Sequence, residues 1–349
     1  MAKTPVAILG ATGAVGQRLV QLLADHTWFE VVEVAASDRS AGKPYREACA
    51  WRLPGGPPPA VADLVVSGVD GPFRSKLLFS GLDASVAGEA EAALAARGHA
   101  VVSNSRNHRM DADVPLLIPE VNPHHLEALD VQRRRTGGGY IVTNPNCSVV
   151  GLAMALAPLD RAFGVQAAAV VTLQALSGAG YPGVASLDVT DNVVPWIGGG
   201  EEEKLETEPC KILGGFVGGA FAPAPITISS SVHRVPVVDG HTMTVFARTA
   251  RRADPGEAAH VLAVFAGEPQ ARLLPSAPRR PIHVLVEPDR PQPRLDRDRE
   301  GGMAISVGRL RADPLFGLKL EVLVHNTIRG AAGAAILNAE LLRARDLLP

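Results

Sequence analysis

Apolar residues in the first part of the chain fall into short runs separated by stretches of helical spacing. "PVAILG" (5–10), "EVVEVAAS" (30–37), "DLVVSG" (63–68), "KLLFSGL" (76–82), "AVVSN" (100–104) and "YIVTN" (140–144) have strand length and strand composition. "AVGQRLVQLLADH" (14–26) and "SVAGEAEAALAARG" (85–98) repeat their apolar positions at helical intervals, the second closing on Gly98. Alternation of strand and helix predicts a parallel, doubly wound sheet whose last strand is 140–144.

Past residue 147 the pattern lengthens. "VQAAAVVTLQALSG" (165–178), "PITISSSVHRVPV" (225–237) and "GHTMTVFART" (240–249) read as longer strands of a second sheet. Residues 269–301 are rich in Pro and Arg and predict loops with short elements, and "PGGPPP" (54–59) is a loop because proline stops both helix and strand. "NTIRGAAGAAILNAELLRARDLL" (326–348) predicts a closing helix. With 349 residues, two domains are expected.

Charge and composition exclude some partners. Lys and Arg (34) nearly balance Asp and Glu (36), giving a net charge of −2, so no electrostatic case exists for nucleic acid or an anionic membrane. No apolar run approaches the ~18 to 20 residues that span a bilayer. The N-terminus runs into a strand without the apolar stretch of a secretory signal, so a cytoplasmic protein is expected. Three cysteines, Cys49, Cys147 and Cys210, are too few and scattered for a disulfide framework, and no His/Cys cluster has metal spacing. A cysteine that matters here acts alone.

Two places carry chemistry. "GATGAVG" sets Gly10, Thr12, Gly13, Ala14, Val15 and Gly16 between the first strand and the first helix. Glycines allow a tight turn and close backbone approach to a diphosphate, which the free N–H groups of the helix start then bind. At the end of the second strand, Ser37, Arg39 and Ser40 offer hydroxyls and a cation to a 2′-phosphate, favouring NADP over NAD; the adjacent Asp38 is the alternative, as acceptor for a ribose hydroxyl. The second place is "TNPNCSVVGLAMALAPL", where a turn delivers Cys147 to the start of a helix. A helix N-terminus lowers a thiol pKa, which suits a nucleophile; the competing reading is a small buried hydrophobe. In "HRVPVVDGHTMTV", His241 is the candidate proton partner and Arg234, seven residues earlier, a candidate carboxylate clamp.

Ordered motifs extend this picture: "GATGAVG", "SNSRNHRMDADVPLLIPEVN", "TNPNCSVVG", "QALSGAGYPG", "DNVVPWIGGGEEEKLETEPCKILG", "HRVPVVDGHT" and "HNTIRGAAGAAILNAELL". Together they closely resemble the aspartate-semialdehyde dehydrogenase family, in the branch typical of archaea and fungi, over essentially the whole chain. The resemblance implies a Rossmann domain (1–147), completed by a C-terminal helix (327–349), and an α+β catalytic and dimerisation domain (148–326) like that of glyceraldehyde-3-phosphate dehydrogenase. It implies NADPH-dependent reduction of L-aspartyl 4-phosphate to L-aspartate 4-semialdehyde through a cysteine thioester, in a homodimer or homotetramer. That reaction feeds lysine, threonine, methionine and isoleucine synthesis and needs no metal.

Residue roles follow by motif. The resemblance implies Cys147 as nucleophile and His241 as acid/base, Arg234 on the substrate carboxylate, and Asn146 and Gln174 orienting the substrate. Arg109 of "NHRM" corresponds to the phosphate-binding arginine, with Arg106 as fallback and Lys204 beside it. Among Glu201, Glu202 and Glu203, Glu202 is expected at the substrate amine; a helix here would instead put Glu201 and Lys204 on one face. Ser177, Gly178, Asn192 and Asn326 correspond to positions near the nicotinamide. Val232 and His233 depart from the branch's usual Cys and Asn. The rival reading is a malonyl-CoA reductase on the same fold.

Overall fold

The computed structural model describes residues 2–349 and holds two main sheets. The first has five strands, β1 (Thr4–Leu9), β2 (Phe29–Ala35), β3 (Leu77–Ser80), β4 (Ala100–Ser103) and β5 (Tyr140–Thr143), in the order β2-β1-β3-β4-β5. All four of its pairings are parallel. Strands β3, β4 and β5 are buried at every position, as a sheet covered on both faces requires. Segment 63–68 is not a strand. It makes only single bridges, Pro44 with Val65 and Ala35 with Ser67. Val66 N–H donates to Lys43 O and Ser67 N–H to Val34 O, so the segment crosses the edge of β2 instead of running along it.

Helix α1 (Ala14–Leu23) leaves β1 through the glycine turn. Gly10 has φ +72°, and a Cβ there would lie 2.7 Å from Gly81 O. A Cβ on Gly16 would lie 2.2 Å from Gly10 O, so only glycine lets helix and turn close this tightly.

The second sheet has seven strands. They are β6 (Val165–Gln174), β7 (Val194–Pro195), β10 (Thr227–Arg234), β11 (His241–Thr249), β12 (Ile282–Val284), β13 (Ile305–Asp313) and β14 (Gly317–Val324), in the order β12-β13-β14-β11-β6-β10-β7. β8 (Gly215–Val217) and β9 (Ala220–Ala222) form a separate hairpin. Pairing is mixed: β6 runs parallel to β10 but antiparallel to β11.

The cysteine helix (Cys147–Phe163) is apolar nearly all round and packs into the second sheet's core through Val150, Leu152, Met154 and Leu156, among others. The C-terminal helix (Gly333–Ala344) instead joins the core of the first sheet, setting Ile336, Leu337 and Leu341 against a cluster that includes Ile8, Val102 and Val142. A π-helical turn at Ile328–Ala332 leads into it. Among the described residues no helix is long and apolar enough to cross a membrane.

Candidate active site

Strand ends converge on the cysteine. Gln174 closes β6, Arg234 closes β10, and the register sets these two side by side. His241 opens β11 next to them, because β11 runs antiparallel to β6 and pairs Thr242 with Leu173. Across from this edge, Asn146 caps the cysteine helix, its Oδ1 accepting from Ser148 N at 3.0 Å, and Cys147 is the first helical residue. Cys147 Sγ lies 3.2 Å from His241 Nε2. Two glycines make room. A Cβ on Gly330 would sit 2.8 Å from Cys147 Cβ, and one on Gly178 would sit 2.9 Å from both Arg234 Nη1 and His241 Cε1.

Backbone geometry sets the tautomer of His241. Ala175 N–H donates to Nδ1 at 2.9 Å. A main-chain N–H is always a donor, so Nδ1 of the neutral ring is bare and the proton sits on Nε2, facing the sulfur. Burial pushes His241 down to about 3, with the Arg234 and His325 charges acting in the same direction. The ring is therefore neutral at pH 7. Burial also pushes the Cys147 thiol up to about 12, with Glu201 adding to the rise; Arg109, Arg234 and Lys204 pull it back only in part. This reverses the expectation from the helix start: desolvation of a thiolate outweighs the charges around it.

The helix Glu201–Leu213 faces the site with a charged stripe at i, i+3, i+7 and i+10: Glu201, Lys204, Glu208 and Lys211. Lys204 Nζ is 2.7 Å from Glu201 Oε1. Asn146 Nδ2 donates to the two Glu201 oxygens at 3.1 and 3.0 Å, and Gln174 Nε2 approaches one of them at 3.5 Å. Glu202 does not face the site. Its carboxylate accepts from Val232 N at 3.2 Å, away from the cysteine, because the segment is a helix and the next residue is rotated off the stripe. Glu201 is the acid beside Cys147.

Arg109 is buried, with Nη1 2.9 Å from Glu208 Oε1 and Nη2 donating to Asn104 O at 2.9 Å. It lines a cavity of about 280 Å³ together with Val15, Asn146, Cys147, Ser177, Gly178 and Asn326. Arg106 is exposed and reaches only Gly199 O at 3.4 Å. Asn326 is held on both sides, accepting from Gly240 N and donating to Ser177 Oγ, each at 2.8 Å.

A second cavity of about 500 Å³ opens along the glycine turn, lined by Thr12, Gly13, Ala14, Gln17, Arg18 and Arg52, and closed opposite by Ser177 and Tyr181. Gly13 caps α1 without a side chain, so the first N–H groups of the helix are free for an anion, with Arg18 and Arg52 supplying positive charge. These features fit a dinucleotide. Arg52 and Tyr181 lie in cation–π contact, 4.3 Å from guanidinium carbon to ring centroid. Ser37, Arg39 and Ser40 form a turn just past β2, with Ser40 N donating to Ser37 O at 2.8 Å, outside this cavity's lining. Asn192 is exposed, bonds Asp188 O and lines neither cavity, so the structure does not bring it to the nicotinamide side.

Sequence reasoning missed Glu208, Arg18, Arg52 and Asn104. Glu208 and Arg18 have a signal, each lying one or two helical turns from a residue already singled out. Arg52, in a loop beside the proline-rich stretch, has none.

Comparison with known proteins places these features in context. Residues 5–129 match the semialdehyde dehydrogenase NAD-binding domain model, and residues 156–329 the semialdehyde dehydrogenase dimerisation domain model. The aspartate-semialdehyde dehydrogenase of Methanothermobacter thermautotrophicus is 49% identical over 97% of this chain and 98% of its own. That of Schizosaccharomyces pombe is 45% identical over the full length of both. The crystal structure of aspartate semialdehyde dehydrogenase with NADP from Candida albicans superposes with a TM-score of 0.91 at 43% identity, covering 99% of this chain and 100% of that one.

Proposed function

The chain belongs to the aspartate-semialdehyde dehydrogenase family, and from that premise we propose how its residues share the work. The reaction is the NADPH-dependent reduction of L-aspartyl 4-phosphate to L-aspartate 4-semialdehyde and phosphate. Cys147 is the nucleophile. Arg234 clamps the substrate carboxylate, Glu201 meets the amine, and Arg109 with Lys204 takes the phosphate. Asn146 and Gln174, both bonded to Glu201, orient the substrate. One observation carries this reading: the sulfur lies 3.2 Å from His241 Nε2, inside a ring of three cations and one acid that matches the charges of an aspartyl phosphate.

The protonation states direct the steps. Burial favours the neutral Cys147 thiol before substrate enters. Its sulfur forms a bond to the acyl carbon, the C–O bond to phosphate breaks, and the thiol proton leaves on the phosphate, giving a thioester and hydrogen phosphate. Arg109 and Lys204 stabilise the charge as it develops on the departing group. NADPH, when held along the glycine turn with its nicotinamide beside Ser177, Gly178 and Asn326, would supply the hydride that reduces the thioester. The C–S bond then breaks, aldehyde forms, and negative charge returns to the sulfur, where His241 Nε2–H donates to it. Proton uptake by Cys147 restores the starting state.

The glycine turn, with Thr12, Gly13 and Ala14, holds the cofactor diphosphate. Ser177, Gly178 and Asn326 bound the nicotinamide side, and Ser37, Arg39 and Ser40 read the 2′-phosphate. We divide the chain into a cofactor domain (1–147 with 327–349) and a catalytic domain (148–326). The second sheet pairs two copies through the face that bears Val171 and Leu173, which are 39% and 42% exposed. The dimerisation-domain match supports this, and the assembly is a homodimer or homotetramer working in the cytoplasm. The product supplies lysine, threonine, methionine and isoleucine synthesis. An acyl-CoA substrate is disfavoured because Glu201, at the cysteine, has no partner in a malonyl group. Purified protein given aspartate semialdehyde, NADP and phosphate should form NADPH only when phosphate is present. Turnover with malonate semialdehyde and CoA, and none with phosphate, would overturn the substrate assignment.

A further inference from the structure

The lower half of the charged stripe lies outside the pocket but grips one of its members. Glu208 is 2% exposed. One of its oxygens accepts from Arg109 Nη1 at 2.9 Å and the other from Asn146 N at 2.7 Å. We propose that Glu208 is a positioning residue for phosphate transfer: its carboxylate ties the Arg109 guanidinium to the backbone that starts the cysteine helix. This rests on the aspartyl phosphate reading above.

The geometry carries the proposal in three ways. First, Arg109 follows β4 of the first sheet while Cys147 starts the helix buried against the second, and Glu208 spans both from a third element, 99 and 62 residues away in sequence. One side chain therefore ties the phosphate clamp directly to the backbone beside the nucleophile. Second, Lys211, one turn further along the same face, donates to the carbonyls of Arg109, Asp111 and Val114 at 2.7, 2.8 and 2.9 Å. All three ammonium hydrogens are used on this one segment. The helix thus holds the backbone of Arg109 with Lys211 and its side chain with Glu208. Third, the guanidinium orientation is fixed by Glu208 at Nη1 and Asn104 O at Nη2, while the buried Nε has no partner among the described residues and the side chain borders the cysteine cavity. A charged fork held on two sides keeps its remaining donors oriented without needing substrate to do it.

Glutamine has the shape of Glu208 but one acceptor oxygen. Whichever way its amide points, an NH₂ meets either Arg109 Nη1–H or Asn146 N–H, and the tie is broken at one end. The test compares wild type with Glu208→Gln and Glu208→Asp in the reverse direction, varying phosphate and aspartate semialdehyde separately. If wild type itself shows no phosphate-dependent activity, the function fails and Glu208 is not the issue. With active wild type, Glu208→Gln should raise the KM for phosphate by about ten- to a hundredfold and lower kcat, with the KM for the semialdehyde changed by less than about threefold. Glu208→Asp keeps the charge on a shorter arm and should recover part of the phosphate KM. Equal shifts in both KM values, or unchanged phosphate KM with only a lower Tm, would mean that Glu208 merely supports the fold, and the proposal is overturned. If Glu208→Gln is insoluble, Glu208→Asp is judged by the same selectivity.

Discussion

The two cavities meet at Ser177, yet they are built differently. The cysteine side is made from ends of regular elements: β6, β10 and β11, the start of the cysteine helix and one face of the Glu201–Leu213 helix. Most of its polar groups are buried, with Glu201 and Lys204 half-buried, and they answer to several neighbours at once; Asn146 alone bonds Ser148, Glu201 and Glu208. The cofactor side stands on regular structure at the glycine turn, the start of α1 and the short turn at Leu176–Ala179. Beyond these, Arg39, Arg52 and Tyr181 are exposed and sit in loops. Groups that must meet reacting atoms within tenths of an ångström stand on rigid elements, while groups that hold the periphery of a large ligand stand on loops that adapt to it.

If that contrast is right, substitutions should hurt in proportion to how rigidly their site is built. Cys147→Ser should lower kcat by on the order of 10⁴-fold or more while NADP binding, followed by fluorescence or calorimetry, stays unchanged. Equal loss of cofactor binding would show the two sides are not separate. Gly178→Ala touches no reacting atom, yet its methyl would press on Arg234 and His241, so kcat should drop about a hundredfold in a folded protein. Near-normal turnover would mean the loop yields as easily as those on the cofactor side. Arg39→Ala should raise the KM for NADP about tenfold and leave that for NAD in place, at constant kcat. A change in kcat would tie this turn to the chemistry.

The mildest effect concerns pH. His241 and His125 have folded pKa values near 3 and 4, both depressed by burial from 6.5. Between those values and about 6.5 these two groups bind more protons in the unfolded chain than in the folded one, so their contribution to stability falls as pH drops through this window and is constant above it. His125 lies outside both cavities, its ring Nδ1 and Nε2 bonded to Asn122 and Gly214. His125→Gln should therefore flatten the acid side of a Tm-against-pH curve without shifting the pH–rate profile. A shifted profile would show that the cysteine side is less insulated than its packing implies.

Much of this was legible beforehand, for identifiable reasons. Alternating runs and helical spacing revealed the first sheet because fully buried strands leave few polar residues to confuse the pattern. Segment 63–68 misled because its apolar run is of strand length, whereas its hydrogen bonds go to two different neighbours. The glycine turn and the cysteine motif were visible as chemistry-bearing punctuation. The acid at the cysteine turned on one fact, whether "EEEK" is helical, and the local sequence with Pro209 inside it left both readings open. The helix N-terminus at Cys147 is visible in sequence, whereas the burial that pushes its thiol up is not. Helical spacing from Lys204 places Glu208 on the site's face, but its pairings with Arg109 and Asn146, like that of Arg52 with Tyr181, join residues far apart in the chain, and no single-sequence pattern reports those.

The packing of the C-terminal helix has a consequence for synthesis. Ile336, Leu337 and Leu341 share one core with residues as early as Val6 and Ile8. A ribosome releases the first sheet long before it releases the helix that covers it. Through most of their synthesis the preceding residues expose the apolar face that this helix will bury, and it closes only once residues 333–344 leave the exit tunnel. Cotranslational pulse-proteolysis should find the N-terminal half protease-sensitive until residues 333–344 have emerged, making release of this helix the event that completes the first sheet's core.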